Sequence, residues 1–357
     1  MLRIPEIITP PEYWHGSLDT VYADIGEIKL GRVMKMLPSA GGREIHLIEY
    51  GQSGLGKRKA NLSSALGAKC PTAYADRSAD GYTPTVFLAG CIHGGEFEGT
   101  VAIMNLISLL EKGVDLAGRR NDALLSAAQG VHLLLMPMCN PDGRSHIPFD
   151  NFVGRSFRDL RYYNQGTWKN GELCGYPDCK AVHPIKDAAG YLGGYFNDDG
   201  VNLMHDNFFG HNANETQNIL DVCLEYAPDV SVLCHGGDNS VPHFTHSAYC
   251  SGEACRQISE LARFIAPTYE SAGLKGFTNF GNRFETHDPE DGEIPVSFNL
   301  VSAMHHCCGT PCITFESNQG LDKENSYVLS NDEIYLSHTL LFEGIFRFVK
   351  DARKTRA

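Results

Sequence analysis

Residues 86–106 read "VFLAGCIHGGEFEGTVAIMNL". An apolar run ends at Gly90-Cys91-Ile92, then come His93, two glycines and Glu96, and a helix-like pattern begins at once. A strand that opens into a helix through a histidine and a carboxylate three residues apart points to an α/β sheet whose strand ends carry chemistry. Two glycines between them let the backbone bend so that both side chains face one point.

The alternation continues outward. "TPTVFLAGCI" reads as a short buried strand and "FEGTVAIMNLISLLEKG" as a helix ending at a glycine. "VHLLLMPMCNPDG" is a second buried strand closed by an Asn-Pro-Asp-Gly turn, "ETQNILDVCLEYAPD" a helix and "VSVLCHGGDN" a third strand. "CRQISELARFIAPTYESAG" is a helix, "TPCITFESNQG" a fourth strand and "NDEIYLSHTLLFEGIFRFVKDAR" a long final helix. Upstream, "IKLGRVMKMLPSAGGREIHLIEYGQ" carries a hairpin signal, two strands about a Pro-Ser-Ala-Gly-Gly turn. Residues 52–83 read as loop, the first 30 or so as an irregular arm, and 144–200 break the rhythm in a long stretch rich in Gly, Asp, Tyr and Arg.

Composition narrows the class. The 357 residues are 42% hydrophobic, ample for a large core, and the net charge is −13. With that charge and no Lys/Arg block, a nucleic-acid partner is not expected. No uncharged apolar stretch reaches the roughly 18 residues of a membrane span, and the N-terminus lacks a signal-peptide pattern, so a soluble cytoplasmic protein is expected. The twelve cysteines are scattered. Cys174-x4-Cys179 and "HHCCGTPC" at 305–312 lack the second ligand pair of a structural zinc knuckle, and both read as ordinary thiols. Oligomeric state leaves no sequence signal.

Four reactive residues lie at or just past strand C-termini: His93 and Glu96, then His235, then Glu316. Ligands of open α/β sheets bind outside those ends. Alone, His-x-x-Glu is a common chance pattern, and a strand-end histidine is usually a hydrogen-bonded structural residue. A glutamate inside an apolar strand, as at 316, is less easily dismissed, since burying an unpaired charge costs several kcal/mol. Together, two imidazoles and a carboxylate make a catalytic zinc set. Glu316 is then the natural base for a zinc-activated water, because the base must not itself be a ligand.

With "GREIHLIEYG", "HGGEFEG", "NPDGR", "GVNLMHDNF", "LCHGGD" and "ITFES" in this order, the chain resembles the zinc metallocarboxypeptidases of the carboxypeptidase A type from about residue 43 to 347. The resemblance implies a single α/β domain, a mixed, mostly parallel twisted sheet of about eight strands with helices on both faces. An N-terminal arm and first strand (1–40) would precede a catalytic domain (41–350) and a short tail (351–357). It implies one zinc ion on His93, Glu96 and His235, Glu316 as catalytic glutamate, and a small peptide or acylated amino acid as substrate.

The departures concern the substrate. The family's carboxylate-gripping Asn-Arg pair aligns with Met204-His205. An imidazole cannot make the two parallel bonds of a guanidinium, although protonated His205 could make one. Candidate substrate residues are therefore His205, Arg144 and Asn202. For the family's oxyanion-stabilising arginine the candidates are Arg155, Arg158, Arg161 and Lys169; "TWKNG" at 167–171 favours Lys169 and distance from the Asn-Pro-Asp-Gly turn favours Arg155. The family's flap tyrosine falls near 240–285, where the chain has Tyr249 and Tyr269. Besides carboxypeptidase-type hydrolysis, an N-acyl amino acid deacylase of the succinylglutamate desuccinylase or aspartoacylase type and a non-catalytic zinc-binding scaffold remain open. Retention of Glu316 argues against the scaffold.

Overall fold

The computed structural model describes residues 9–245, 249–277 and 297–356. The chain opens with helix α1 (Leu18–Gly26), the hairpin β1 (Arg32–Lys35) and β2 (His46–Tyr50), and α2 (Leu62–Gly67). Then follow β3 (Thr85–Ala89), α3 (Glu98–Lys112), α4 (Asp122–Ala128), β4 (His132–Met136) and two short helices, α5 (Pro141–Ser145) and α6 (Phe157–Leu160). A small ribbon, β5 (Thr167–Trp168) with β6 (Ala189–Tyr191), precedes α7 (Asn214–Tyr226), β7 (Val230–Gly237) and β8 (His243–Phe244). Helices α8 (Gly252–Ser271) and α9 (Leu300–Cys308), strand β9 (Cys312–Asn318) and helix α10 (Asn331–Arg356) complete it.

The main sheet has seven strands among the described residues, in the order β1-β2-β4-β3-β7-β9-β8. The central four are parallel and the flanking β1, β2 and β8 antiparallel. The strands are apolar on both faces because each face has its own helix layer. Val86, Leu88, Val232 and Cys234 face the layer of α3, α4, α8 and α10, whereas Phe87, Ala89 and Leu233 face α7 and α9. Helix α3 is buried along most of its length, packed between the sheet and α10, and ends at Gly113 in the left-handed conformation (φ 75°).

The hairpin, the four buried strands and the four long helices stand where their patterns place them. Five helices were not legible: α4, between α3 and β4, and α6, in the aperiodic stretch, are two of them. α1 lies within the expected irregular arm, with Ser17 as N-cap and only Val21 and Ile25 buried; α2 lies within the expected loop; α9 lies beneath the His/Cys motif. The Asn-Pro-Asp-Gly "turn" is the start of α5, with the Asn140 side chain accepting from Gly143 N and proline at the first helical position, where its missing N–H costs nothing.

From β3 the chain moves to β4 on one side, then crosses to β7 and β9 on the other. The point of reversal lies between β3 and β7, where an α/β sheet opens a crevice at its carboxyl edge.

Candidate metal centre

His93 and Glu96 leave β3 at this crevice and His235 lies near the end of β7. The three are buried and offer ligand atoms within 4.8 Å of one another. The Nδ1 atoms of both histidines face Glu96: His93 Nδ1 is 2.8 Å from Oε1 and His235 Nδ1 is 2.7 Å from Oε2. Asn202 Oδ1 lies 3.2 Å from His93 Nε2 and also accepts from Met204 N, so the Asn202 amide holds the ring from behind. Tyr195 stacks on the other face of His93, centroids 3.8 Å apart and planes within 7°.

Charge balance suits a cation. Burial opposes ionisation of Glu96, but His93 and His235 bring its carboxyl down to about 2. Burial lowers His93 and keeps that imidazole neutral, as a ligand must be. His235 is disfavoured as a cation by burial yet held above its ordinary value by Glu96 and Glu316. Its Nε2 is buried without a hydrogen-bond partner among the described residues. Two buried imidazoles around one carboxylate fit a zinc ion.

The glycines act differently from the expectation. Neither Gly94 nor Gly95 has a positive φ; the left-handed residue is Cys91, at φ 53°. Gly94 is needed because a Cβ there would stand 2.0 Å from the backbone carbon of Gly143, and Gly94 N donates to Gly194 O at 2.6 Å. At Gly236 a Cβ would stand 2.5 Å from Oε2 of Glu98. Burial pushes that glutamate up to about 8, so it sits as a neutral acid under the centre, its Oε1 3.4 Å from Gln319 Nε2.

Glu316 lies opposite His235 in the parallel pairing of β7 and β9. Burial raises its carboxyl to about 7, with His235 and Lys180 drawing it down and Glu96 pushing it up. It lines, with the three candidate ligands, a cleft of about 590 Å³.

The candidate cations stand in different places, and some do not line the cleft. Lys169 is exposed on the β5–β6 ribbon, outside the cleft. Arg155 is buried with its guanidinium 3.6 Å over the Phe149 ring and Nε donating to Asn151 O, also outside the cleft. Arg144 braces its own loop, donating to the carbonyls of Gly16, Ile147 and Phe149 and to Asp150 with its plane over Phe97, and does not reach the cleft. Among the described residues, the arginine that lines the cleft is Arg161, at the head of a π-helical turn (Arg161–Gln165). Its Nη2 donates to Tyr176 O at 3.3 Å and its buried Nε has no partner among the described residues. Asn202 and His205 line the cleft. Burial, reinforced by the charges of Lys180, His93 and His183, lowers His205 to about 4, so this imidazole is neutral near pH 7 and supplies no positive charge.

Tyr195 and Lys180 were missed. Both come from the aperiodic stretch, which carries no spacing signal for either. Of the flap candidates, Tyr269 is a core residue bonded to Ser337 and Tyr249 does not line the cleft; residues 246–248 and 278–285 of that span lie outside the described residues. All twelve cysteines are free thiols, with Cys174 and Cys179 in a small apolar cluster beside Ile185 and Phe196. No helix among the described residues is long and apolar enough to cross a membrane.

A zinc carboxypeptidase sequence profile matches residues 29–286, which include His93, Glu96 and His235 but stop short of Glu316. No curated protein matches the chain. Among solved structures, a metallo-carboxypeptidase from Burkholderia cenocepacia superposes with a TM-score of 0.55 at 15% identity, over 94% of this chain and 70% of that one. One from Pseudomonas aeruginosa, in complex with (2-guanidinoethylmercapto)succinic acid, gives 0.52 at 13% identity over 92% and 67%. Bovine thrombin-activatable fibrinolysis inhibitor gives 0.52 at 11% identity over 97% and 100%. The fold is that of the metallocarboxypeptidases, with a possible metal site at its crevice. The chain belongs to the zinc carboxypeptidase family.

Proposed function

We propose that the protein is a zinc-dependent hydrolase of an amide bond in a small peptide or N-acylated amino acid, using one zinc ion. The observation that carries this is the convergence of His93, Glu96 and His235 on one buried point, with Glu316 beside them on the wall of an open cleft. A zinc ion held there would acidify an attacking water and polarise the scissile carbonyl.

Glu316, lifted by burial to about 7, accepts the water's proton and then delivers it to the departing amine. Arg161, with an unspent N–H at the cleft, meets the negative charge that develops on the carbonyl oxygen. Asn202 and Tyr195 hold His93 in place from two sides. These steps serve peptide hydrolysis and N-acyl amino acid deacylation alike. Met204-His205, in place of a guanidinium fork, favours a substrate other than an ordinary C-terminal peptide. Twelve free thiols, ten of them buried, suit the reducing cytoplasm, the compartment we propose.

The test is zinc content measured beside hydrolysis of a panel of peptides and N-acyl amino acids. Bound zinc with turnover of at least one member is expected. Zinc with no turnover on any member would favour a non-catalytic scaffold, and turnover that survives Glu316→Ala would remove that residue as the base.

A further inference from the structure

The thiols of "HHCCGTPC" gather at one point of the fold, away from the metal centre. Cys308 closes α9 and Cys312 opens β9, with Gly309, Thr310 and Pro311 between them. Gly309 takes the left-handed conformation (φ 73°) that ends the helix, so the chain turns back at once. The two sulfurs are buried and lie 3.7 Å apart. Cys223 of α7 packs into the same apolar cluster, and each of the three thiols feels the other two.

The turn holds the pair face to face. The Thr310 hydroxyl donates to Pro228 O at 2.7 Å, and Pro311 O accepts from Ser231 N at 3.0 Å. A disulfide needs sulfurs about 2.05 Å apart, so Cys308 and Cys312 must close by about 1.7 Å, a displacement that side-chain rotation supplies. The three thiols are not equivalent. Those of Cys223 and Cys312 hold Cys308 well below the ordinary thiol value, against its burial. Cys223 is raised in return by its bond to Cys308, and Cys312 is raised by burial. Their partly exposed neighbour Cys307 is pushed up to about 12 by burial, so it is the poorer nucleophile. A small oxidant has a way in. Gly309 and Thr310 line a cavity of about 570 Å³ at the amino edge of the sheet, and Thr310 Oγ1 lies 3.0 Å from Cys308 Sγ.

We propose that Cys308 is a peroxide-reactive thiol that Cys312 resolves into a disulfide. The Cys308 sulfur attacks hydrogen peroxide, the O–O bond breaks, and the products are a sulfenic acid on Cys308 and hydroxide, which takes up a proton as water. The Cys312 sulfur then displaces the sulfenic hydroxyl, its own proton leaves with that group as a second water, and the S–S bond forms. Two thiols are oxidised and one peroxide is reduced to two waters. The bridge fastens the end of α9 to the strand that carries Glu316 four residues further on.

The experiment treats the folded full chain with hydrogen peroxide, removes the peroxide with catalase, alkylates the remaining thiols with N-ethylmaleimide in denaturant, and maps the digest by mass spectrometry. A Cys308–Cys312 disulfide that dithiothreitol reverses is the expected main product. Cys312→Ser should leave a sulfenic acid on Cys308 that dimedone traps. Cys308→Ser should give neither a bridge to Cys312 nor a dimedone adduct on it, and Cys223→Ser should keep the bridge. A wild type in which both cysteines are still alkylated after peroxide, or in which Cys308 pairs with Cys223 or Cys307, overturns the assignment. Dimedone labelling of Cys312 in Cys308→Ser overturns Cys308 as the attacking thiol. The wild-type map decides the question by itself should a variant fail to fold.

Discussion

His235 and Glu316 are register partners on the adjacent parallel strands β7 and β9, so their side chains emerge on the same face of the sheet, at its carboxyl edge. One residue is a candidate ligand and the other a candidate base, and their spacing is set by the sheet rather than by a loop. Glu316→Gln keeps the shape and removes the proton acceptor. It should lower kcat by roughly 10²- to 10⁴-fold while zinc content stays at the wild-type level. Loss of zinc along with activity would make Glu316 a ligand instead.

Cation placement gives a second expectation. Arg161→Ala should reduce kcat by roughly 10²- to 10³-fold with little change in fold, the scale of a lost oxyanion donor. Lys169→Ala should leave kcat unchanged because that side chain is exposed on the ribbon. Arg155→Ala should act on stability, by on the order of 1–2 kcal/mol through its lost ring contact and hydrogen bond, and steady-state kinetics with thermal melts separates the three.

Gly94 has no room for a side chain. A Cβ 2.0 Å from the Gly143 backbone must push apart the loop carrying His93 and the start of α5. Gly94→Ala should cost about 1–3 kcal/mol in stability, as overpacking does, and weaken zinc retention during dialysis. A variant with native melting temperature and zinc content would contradict this packing.

Far from the centre, His338 on α10 is fully buried against Phe315, bonded through Nδ1 to Ile334 O, and lowered by burial to about 4. Its folded-state value lies below the unfolded one. Stability is therefore untouched by this residue above about pH 6.5, falls as the pH drops from there towards 4, and levels off below. The full loss is on the order of 3 kcal/mol. His338→Leu should flatten this part of the pH–stability curve, measured by denaturant unfolding between pH 7 and 4. An unchanged slope would show that His338 is not a source of acid sensitivity.

How much of this was legible follows from where each residue gets its position. The candidate ligands and Glu316 interrupt apolar runs at strand ends, so the four stand out together although each alone is a common pattern. Lys180, Tyr195 and Arg161 come from the aperiodic stretch, whose course depends on contacts remote in sequence, such as Gly94 N to Gly194 O. No local rule separates Arg161 from Arg155 or Lys169; tertiary packing decides which of them lines the cleft. Helix α9 is bounded by the Asn299 N-cap and left-handed Gly309, cap signals that the His/Cys pattern of its last turn overlies. Its His305 is spent structurally, with Nδ1 near Thr310 O and Nε2 accepting from Ser251 N.

The central claim is that His93, Glu96 and His235 hold one zinc ion. Metal analysis of the purified full chain and of His235→Ala, after equal dialysis against trace zinc, tests it most directly. One equivalent of zinc in the wild type and well under a tenth in the variant is expected. A wild type that retains no zinc, or a variant that retains it fully, would contradict the account.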